Sequence, residues 1–85
     1  MKLAIKDEIE ARLSAAFTVT ALEVVNESHK HAGHSGDDGT GESHFAVSLR
    51  APELAAMGRV ARHRAVQAAL GDINLRVHAL ALDIG

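Results

Sequence analysis

The sequence predicts an α/β fold of the α+β type, a three-stranded mixed sheet covered by helices in the order α-β-β-α-α-β. Apolar residues recur at helical spacing near the start of the chain, and two alternating segments flank a segment rich in glycine and histidine. Two helical segments then precede a final apolar strand. The 85 residues are 47% hydrophobic and 24% charged, which indicates a single globular domain at 1–85 with a modest core.

The bounds of the elements follow from this spacing. Ile5, Ile9 and Leu13 share one helical face, and Glu8 and Arg12 form an i,i+4 charge pair beside it. The first helix is therefore predicted over residues 3–16. The other predictions are strands over 18–26 and 44–49, a short helix from Pro52 to near Gly58, a helix from Arg59 to Leu70 or Ile73, and a strand over 75–82 with apolar residues on both faces.

Residues 28–43 interrupt this periodicity. The segment is SHKHAGHSGDDGTGES, with four glycines, three histidines and no large apolar side chain. Because glycine tolerates unusual backbone dihedrals, we expect a flexible loop joining two strands of a hairpin, although the connection is long.

The predicted topology brings the last strand close to this loop. A helical crossover between the second and third strands favours their parallel pairing, so both strands start at the same end of the sheet. His78, near the start of the third strand, should then face the loop that carries His29, His31 and His34. A zinc site made by these loop histidines alone has plausible spacing but is less favoured, because such loops are usually solvated.

Composition argues against several classes of function. The formal net charge of -2 gives no general attraction to nucleic acid or anionic lipid, and a chain without cysteine has no thiolate metal site. No stretch of 18 uncharged apolar residues exists, so we expect a cytoplasmic protein without a membrane span. Ser43 and His44 are adjacent, but no nucleophile elbow accompanies them. We therefore expect no enzymatic activity, and interpret His44 as a sheet-surface or hinge residue.

Four segments carry a resemblance to a known family. They are LEVVNESHKHAG at 22–33, ESHFAV at 42–47, RVARHRAV at 59–66 and VHALAL at 77–82. In this order and spacing they resemble the BolA family across nearly the whole chain. The resemblance implies a KH-like α/β sandwich, which agrees with the element order derived above.

The resemblance also implies a partner and a cofactor. BolA-like proteins pair with monothiol glutaredoxins, and the heterodimer holds a [2Fe–2S] cluster for which glutaredoxin and glutathione supply thiolates. The motifs implicate His78 as one nitrogen ligand and His31 as the other, with His34 and His29 as alternates. Histidine replaces cysteine on one iron of Rieske centres, so such ligation is chemically reasonable. We expect no cluster on the chain alone, which should be a monomer or a weak homodimer.

A basic cluster supports an alternative function. Arg59, Arg62, His63 and Arg64 begin the predicted long helix, and residues 53–70 resemble a helix–turn–helix, so a DNA-binding transcriptional regulator remains open. KH-type RNA binding is not favoured, because the connection between these helices lacks the G-x-x-G of that fold. The cluster is predicted to be a partner-docking surface, with solvated charge and a nucleic-acid surface as the alternatives.

Overall fold

The computed structural model of the chain describes residues 4–28 and 44–85. Within these ranges the chain forms α1 (Ile5–Ala16), β1 (Ala21–Asn26), β2 (His44–Arg50), α2 (Pro52–Ala55), α3 (Arg59–Leu70), α4 (Ile73–Arg76) and β3 (Ala79–Ile84). The predicted α+β class is confirmed. The fourth helix, α4, was not predicted, and both β1 and β3 start later in the chain than expected.

The three strands form one mixed sheet with β2 in the centre. β1 pairs antiparallel with β2, so that Val24 lies opposite Val47, and β3 pairs parallel with β2, so that Val47 lies opposite Leu82. Parallel neighbours require the chain to return to the same end of the sheet, and the helices α2 to α4 form that crossover.

The helices pack against one face of this sheet. Phe45, Val47 and Leu49 alternate along β2 toward that face and are at most 2% exposed. Ile9 and Leu13 of α1 are fully buried in the same core, as are several residues of the crossover: Leu54, Val66, Leu70 and Ile73. Burial of each such side chain contributes about 1.5–3 kcal/mol, so this aliphatic layer is the main source of stability.

The opposite face of the sheet is open in the described residues. Val25 of β1 is 39% exposed there, and Ala81 of β3 is exposed on the other side of the central strand. With Ala46, they line a shallow groove of ≈ 200 Å³. Apolar residues on both faces of the last strand are typical of a strand that is covered on both sides, but the described residues leave this face open, so that interpretation is wrong. The alternate alanines of this strand are apolar but small, so exposure costs little and their pattern did not reveal which face is open.

The last strand also begins four residues later than predicted. Leu75 belongs to α4 and is 89% exposed. The preceding helix, α3, ends at Leu70 and is capped by Gly71, whose φ of 55° lies in a region that disfavours other residues. Asn74 Nδ2 then donates to the carbonyls of Gln67 and Gly71, both at 2.8 Å, and these bonds hold the turn. α3 therefore does not continue to Ile73.

A network of four charged side chains fastens α4 to α1. Arg76 donates to both carboxylate oxygens of Glu8, at 2.9 and 2.7 Å, and to Asp72 at 3.3 Å. Arg12 donates to Asp72 at 2.6 Å and to the carbonyl of Leu70. The predicted i,i+4 pair of Glu8 and Arg12 is present at 3.7 Å, but the closer contacts of both side chains join distant parts of the chain.

We expect this network to make folding sensitive to acid. The hydrogen bonds from Arg76 hold the pKa of Glu8 below its ordinary value, and those from Arg12 do the same for Asp72. A carboxylate whose pKa is lowered by folding stabilises the native state above its unfolded pKa, and this contribution is lost as pH falls through the folded pKa. Glu8→Gln should therefore lower Tm at pH 7, and the deficit should shrink at pH 2–3.

Thermal denaturation followed by circular dichroism across this pH range would measure the effect. Glu10→Gln is the matched control, because Glu10 lies on the same helix and forms no ion pair among the described residues. An equal loss of Tm in both variants at pH 7 would contradict the role of the network.

A second prediction concerns the end of α3. Gly71→Ala should destabilise the fold by more than ~1 kcal/mol, because alanine is strained at a positive φ. Gly58 is the control, since its φ is -67° and nothing lies within 4 Å of an added Cβ. Gly58→Ala should change stability by less than ~0.5 kcal/mol in urea unfolding. The prediction fails if the two variants have the same midpoint.

Candidate functional site

Two histidines meet where β2 and β3 begin. The ring centroids of His44 and His78 are 5.2 Å apart and the ring planes are tilted by 50°. This spacing falls in the range of interacting aromatic pairs. The register explains the meeting, because His44, the first residue of β2, lies opposite Ala79, the first residue of β3. The sheet thus places His78 at the end where the 28–43 segment enters β2, as the topology predicted.

The two rings differ in exposure. His44 is 7% exposed, so the interpretation of this residue as a sheet-surface or hinge residue is wrong. His78 is exposed and lies in a bend just before β3, not on the strand as predicted. His78 can therefore present a ring nitrogen to a partner, whereas His44 lies largely beneath the surface.

Backbone and hydroxyl contacts hold His44 in place. Its N–H donates to the Ser28 hydroxyl at 3.0 Å, and its carbonyl accepts the N–H of Glu27 at 2.8 Å. Ser28 is itself 3% exposed, and its N–H donates to the Asn26 side chain at 2.9 Å. These bonds join the end of β1 to the start of β2, at the two ends of the segment whose histidines were predicted as ligands.

The two residues that precede His78 are also fixed in place. Val77 is 8% exposed and belongs to the core, and its N–H donates to Ile73 at the end of α4. Arg76, two residues before His78, is fixed by Glu8 and Asp72. His78 therefore follows directly on a segment anchored to α1.

The remaining predicted ligands lie outside the described residues. These are His31 and its alternates His29 and His34. Within residues 4–28 and 44–85, no group of three or more metal-ligating side chains comes together. His44 is the histidine that sequence reasoning missed at this site. Its position at the start of the strand that follows the loop was the available signal, because the parallel register carries that position to His78.

The basic cluster of α3 separates into two kinds of residue. Arg62 donates to the carbonyls of Met57 and Ile84, both at 3.1 Å, and is partly buried. His63 Nδ1 lies 3.1 Å from the carbonyl of Arg59, one turn earlier. Arg59 and Arg64 are exposed, and the described part of the chain places no carboxylate in an ion pair with either.

The start of α3 and the histidine pair lie at opposite ends of the sheet. Arg62 contacts Ile84, the last residue of β3, whereas His78 precedes the first residue of that strand. A six-residue strand spans roughly 20 Å. The structure therefore brings His44 and His78 together and leaves the basic cluster apart from them.

The helix before the cluster is short. α2 is a single turn that begins with Pro52, and Glu53 accepts the N–H of Thr18 at 2.7 Å. The backbone N–H groups of Glu53 itself and of Thr18 hold the pKa of the Glu53 carboxyl below its ordinary value.

None of the helices in the described residues has the length and apolar content to cross a membrane.

Comparison with curated proteins gives relatives across most of the chain. An uncharacterized protein in the cobS 5′ region of Sinorhizobium sp is 46% identical over 83 residues, which cover 95% of this chain and 89% of that protein. The DNA-binding transcriptional regulator BolA of Escherichia coli is 39% identical over 79 residues, which cover 92% and 71%.

Solved structures share the fold. The BolA domain of SufE1 from Arabidopsis thaliana has a TM-score of 0.78 and is 27% identical, with 99% of this chain and 93% of that one covered. The family model described as BolA-like protein matches residues 13–84, which run from the end of α1 to the last residue of β3. The chain therefore belongs to the BolA family.

Proposed function

We propose that this protein is a non-enzymatic adaptor that shares a [2Fe–2S] cluster with a monothiol glutaredoxin, in cluster assembly, trafficking or iron sensing. The observation that carries the proposal is the exposed imidazole of His78, which lies beside a second histidine at the entry of the 28–43 segment into the sheet. Membership of the BolA family supports this function, because the resemblance implies the same partner and cluster.

The donor set of the chain fits a shared cluster. His78 is exposed and can offer a neutral nitrogen, and His31, with His34 and His29 as alternates, would supply the second nitrogen from the loop. The chain has no cysteine, and imidazoles and carboxylates alone are a poor set for a bare iron–sulfur cluster. Thiolates must then come from glutaredoxin and glutathione. The cluster, when bound, supplies the iron–sulfur unit that the complex transfers or senses.

Co-purification with a monothiol glutaredoxin under anaerobic reconstitution would test the proposal. We expect visible absorption and circular dichroism of a mixed nitrogen- and sulfur-ligated cluster only when both proteins are present. Stoichiometric iron and sulfide on the isolated chain, or a spectrum identical to that of the glutaredoxin alone, would contradict the proposal.

DNA binding is the second candidate function, and two observations favour it. The relative from Escherichia coli is a DNA-binding transcriptional regulator, and Arg59 and Arg64 on α3 are exposed. Arginines that contact phosphate release counterions from DNA, so their contribution to binding falls steeply as salt is added. Ligation of the cluster by His78 should change little over the same range, so a titration between 50 and 200 mM salt separates DNA binding from cluster ligation.

Substitution of His78 should remove the cluster signature. We expect His78→Ala to abolish the mixed-ligand visible circular dichroism and EPR spectra of the heterodimer, because it deletes an iron ligand. His31→Ala should impair these spectra more than His29→Ala or His34→Ala. Since imidazole binds metal in its neutral form, the wild-type spectra should fade as pH is lowered.

The control is Gln67→Ala, which changes an exposed side chain of α3 outside the basic cluster and leaves His44 and His78 untouched. Its heterodimer should have the wild-type spectra. Unchanged spectra for His78→Ala would show that His78 is not a ligand. A larger loss for His34→Ala than for His31→Ala would identify His34 as the second ligand.

The basic cluster should affect partner docking more than DNA binding. We expect Arg59→Ala and Arg64→Ala to weaken glutaredoxin docking several-fold, because both arginines are exposed and the chain as a whole is mildly acidic. Arg62→Ala should also weaken docking, but with a lower Tm, because its guanidinium bonds to two backbone carbonyls. Isothermal titration with glutaredoxin and with duplex DNA would measure both.

The control for stability is the Tm of each variant, which should match the wild type for Arg59→Ala and Arg64→Ala. The result that would favour the regulator function is submicromolar, sequence-specific DNA binding at physiological salt that is abolished by these two substitutions.

A further inference from the structure

We infer that His44 is a positioning residue for His78, a buried ring that limits the orientations in which His78 can offer its nitrogen. The ring contact, 5.2 Å between centroids, is a property of the chain by itself. Its consequence for a cluster rests on the proposed function, since that function makes His78 a ligand. The inference thus adds to the site a residue that is not itself a ligand of the cluster but determines where the ligand points.

His44 is suited to this role because it is fixed from several sides. It begins the central strand of the sheet, where it lies opposite Ala79 in the parallel register. Its N–H and carbonyl are bonded to Ser28 and Glu27, and only 7% of the residue is exposed. The hydrogen bonds fix the backbone of His44, and its burial leaves the ring little room to reorient, so the ring forms a firm surface.

The ring of His78 is held by fewer contacts than the ring of His44. His78 is exposed in a bend between α4 and β3, and in the described part of the chain no hydrogen bond involves its ring. A histidine in such a position samples several side-chain rotamers in solution. The tilted contact with His44 is thus the interaction that restricts the His78 ring. Outer contacts that orient a ligating histidine typically change metal affinity 10- to 100-fold when they are removed.

Two other roles for His44 make different demands on its side chain. A ligand needs a ring nitrogen at position 44, whereas a positioning residue needs a flat ring of similar size. A residue that only fills the core needs apolar volume and no contact with His78. Phenylalanine keeps the ring without the nitrogens, leucine keeps most of the volume without the ring, and alanine removes both. The three substitutions therefore separate the three roles.

The first experiment uses the isolated chain. Nuclear Overhauser contacts and ring-current shifts of the His78 ring protons should be present in the wild type and in His44→Phe. They should be lost in His44→Ala and in His44→Leu, with the backbone spectrum and Tm as tests of folding. If His44→Ala fails to fold, His44→Leu keeps the comparison. Unchanged His78 ring shifts in a folded variant without the ring would overturn the inference.

The second experiment uses the reconstituted heterodimer with glutaredoxin. His44→Ala and His44→Leu should bind the cluster about 10- to 100-fold more weakly, with altered visible circular dichroism, and His44→Phe should stay within about threefold of the wild type. Loss in His44→Phe equal to that in His44→Ala would make His44 a ligand and overturn the positioning role. Absence of any cluster in the wild type would reject the proposed function, and the ring measurements on the isolated chain would still decide the contact.

Discussion

The parallel pairing of β2 with β3 is the constraint on which the candidate site depends. It makes the two strands start at the same end of the sheet, with His44 opposite Ala79, and so brings His44 and His78 within ring contact although 34 positions separate them in sequence. An antiparallel third strand would place His78 at the far end of β2. The site therefore exists because the crossover formed by α2, α3 and α4 returns the chain to the starting end.

The crossover must be held in register at its last turn, where α4 leads into β3. A positive-φ glycine ends α3, and the four-charge network then fixes Arg76 to α1. The aliphatic core supplies most of the stability, but such packing is non-directional and does not specify one angle for a single-turn helix. Bidentate charge-assisted bonds do specify geometry. The placement of this helix, and with it the position at which His78 begins, therefore depends on these charged groups as well as on the burial of Ile73 and Val77 in the core.

Much of this architecture is determined by patterns that a sequence displays. Period-2 alternation in β2 and helical spacing in α1 predict the elements, and the crossover rule predicts the end of the sheet at which His78 lies. The start of β3 was missed because Leu75 and Val77 flank Arg76 in an alternating pattern that also fits a strand, although a turn of helix continues to Arg76. Burial of His44 and the inward bonds of Arg62 could not be predicted, because they depend on distant residues such as Ser28 and Ile84.

The residues that the two candidate functions require lie at opposite ends of the sheet. Cluster sharing needs an exposed imidazole at the starting end of β2 and β3, whereas phosphate contacts need the exposed arginines at the start of α3, near Ile84. In the described residues the arginines of α3 make no contact with His44 or His78, so a substitution of His78 should leave phosphate contacts at the start of α3 unchanged. Membership of one family is therefore physically compatible with either activity. The discriminating property is the response to salt, which weakens phosphate contacts and leaves iron–nitrogen bonds largely unchanged.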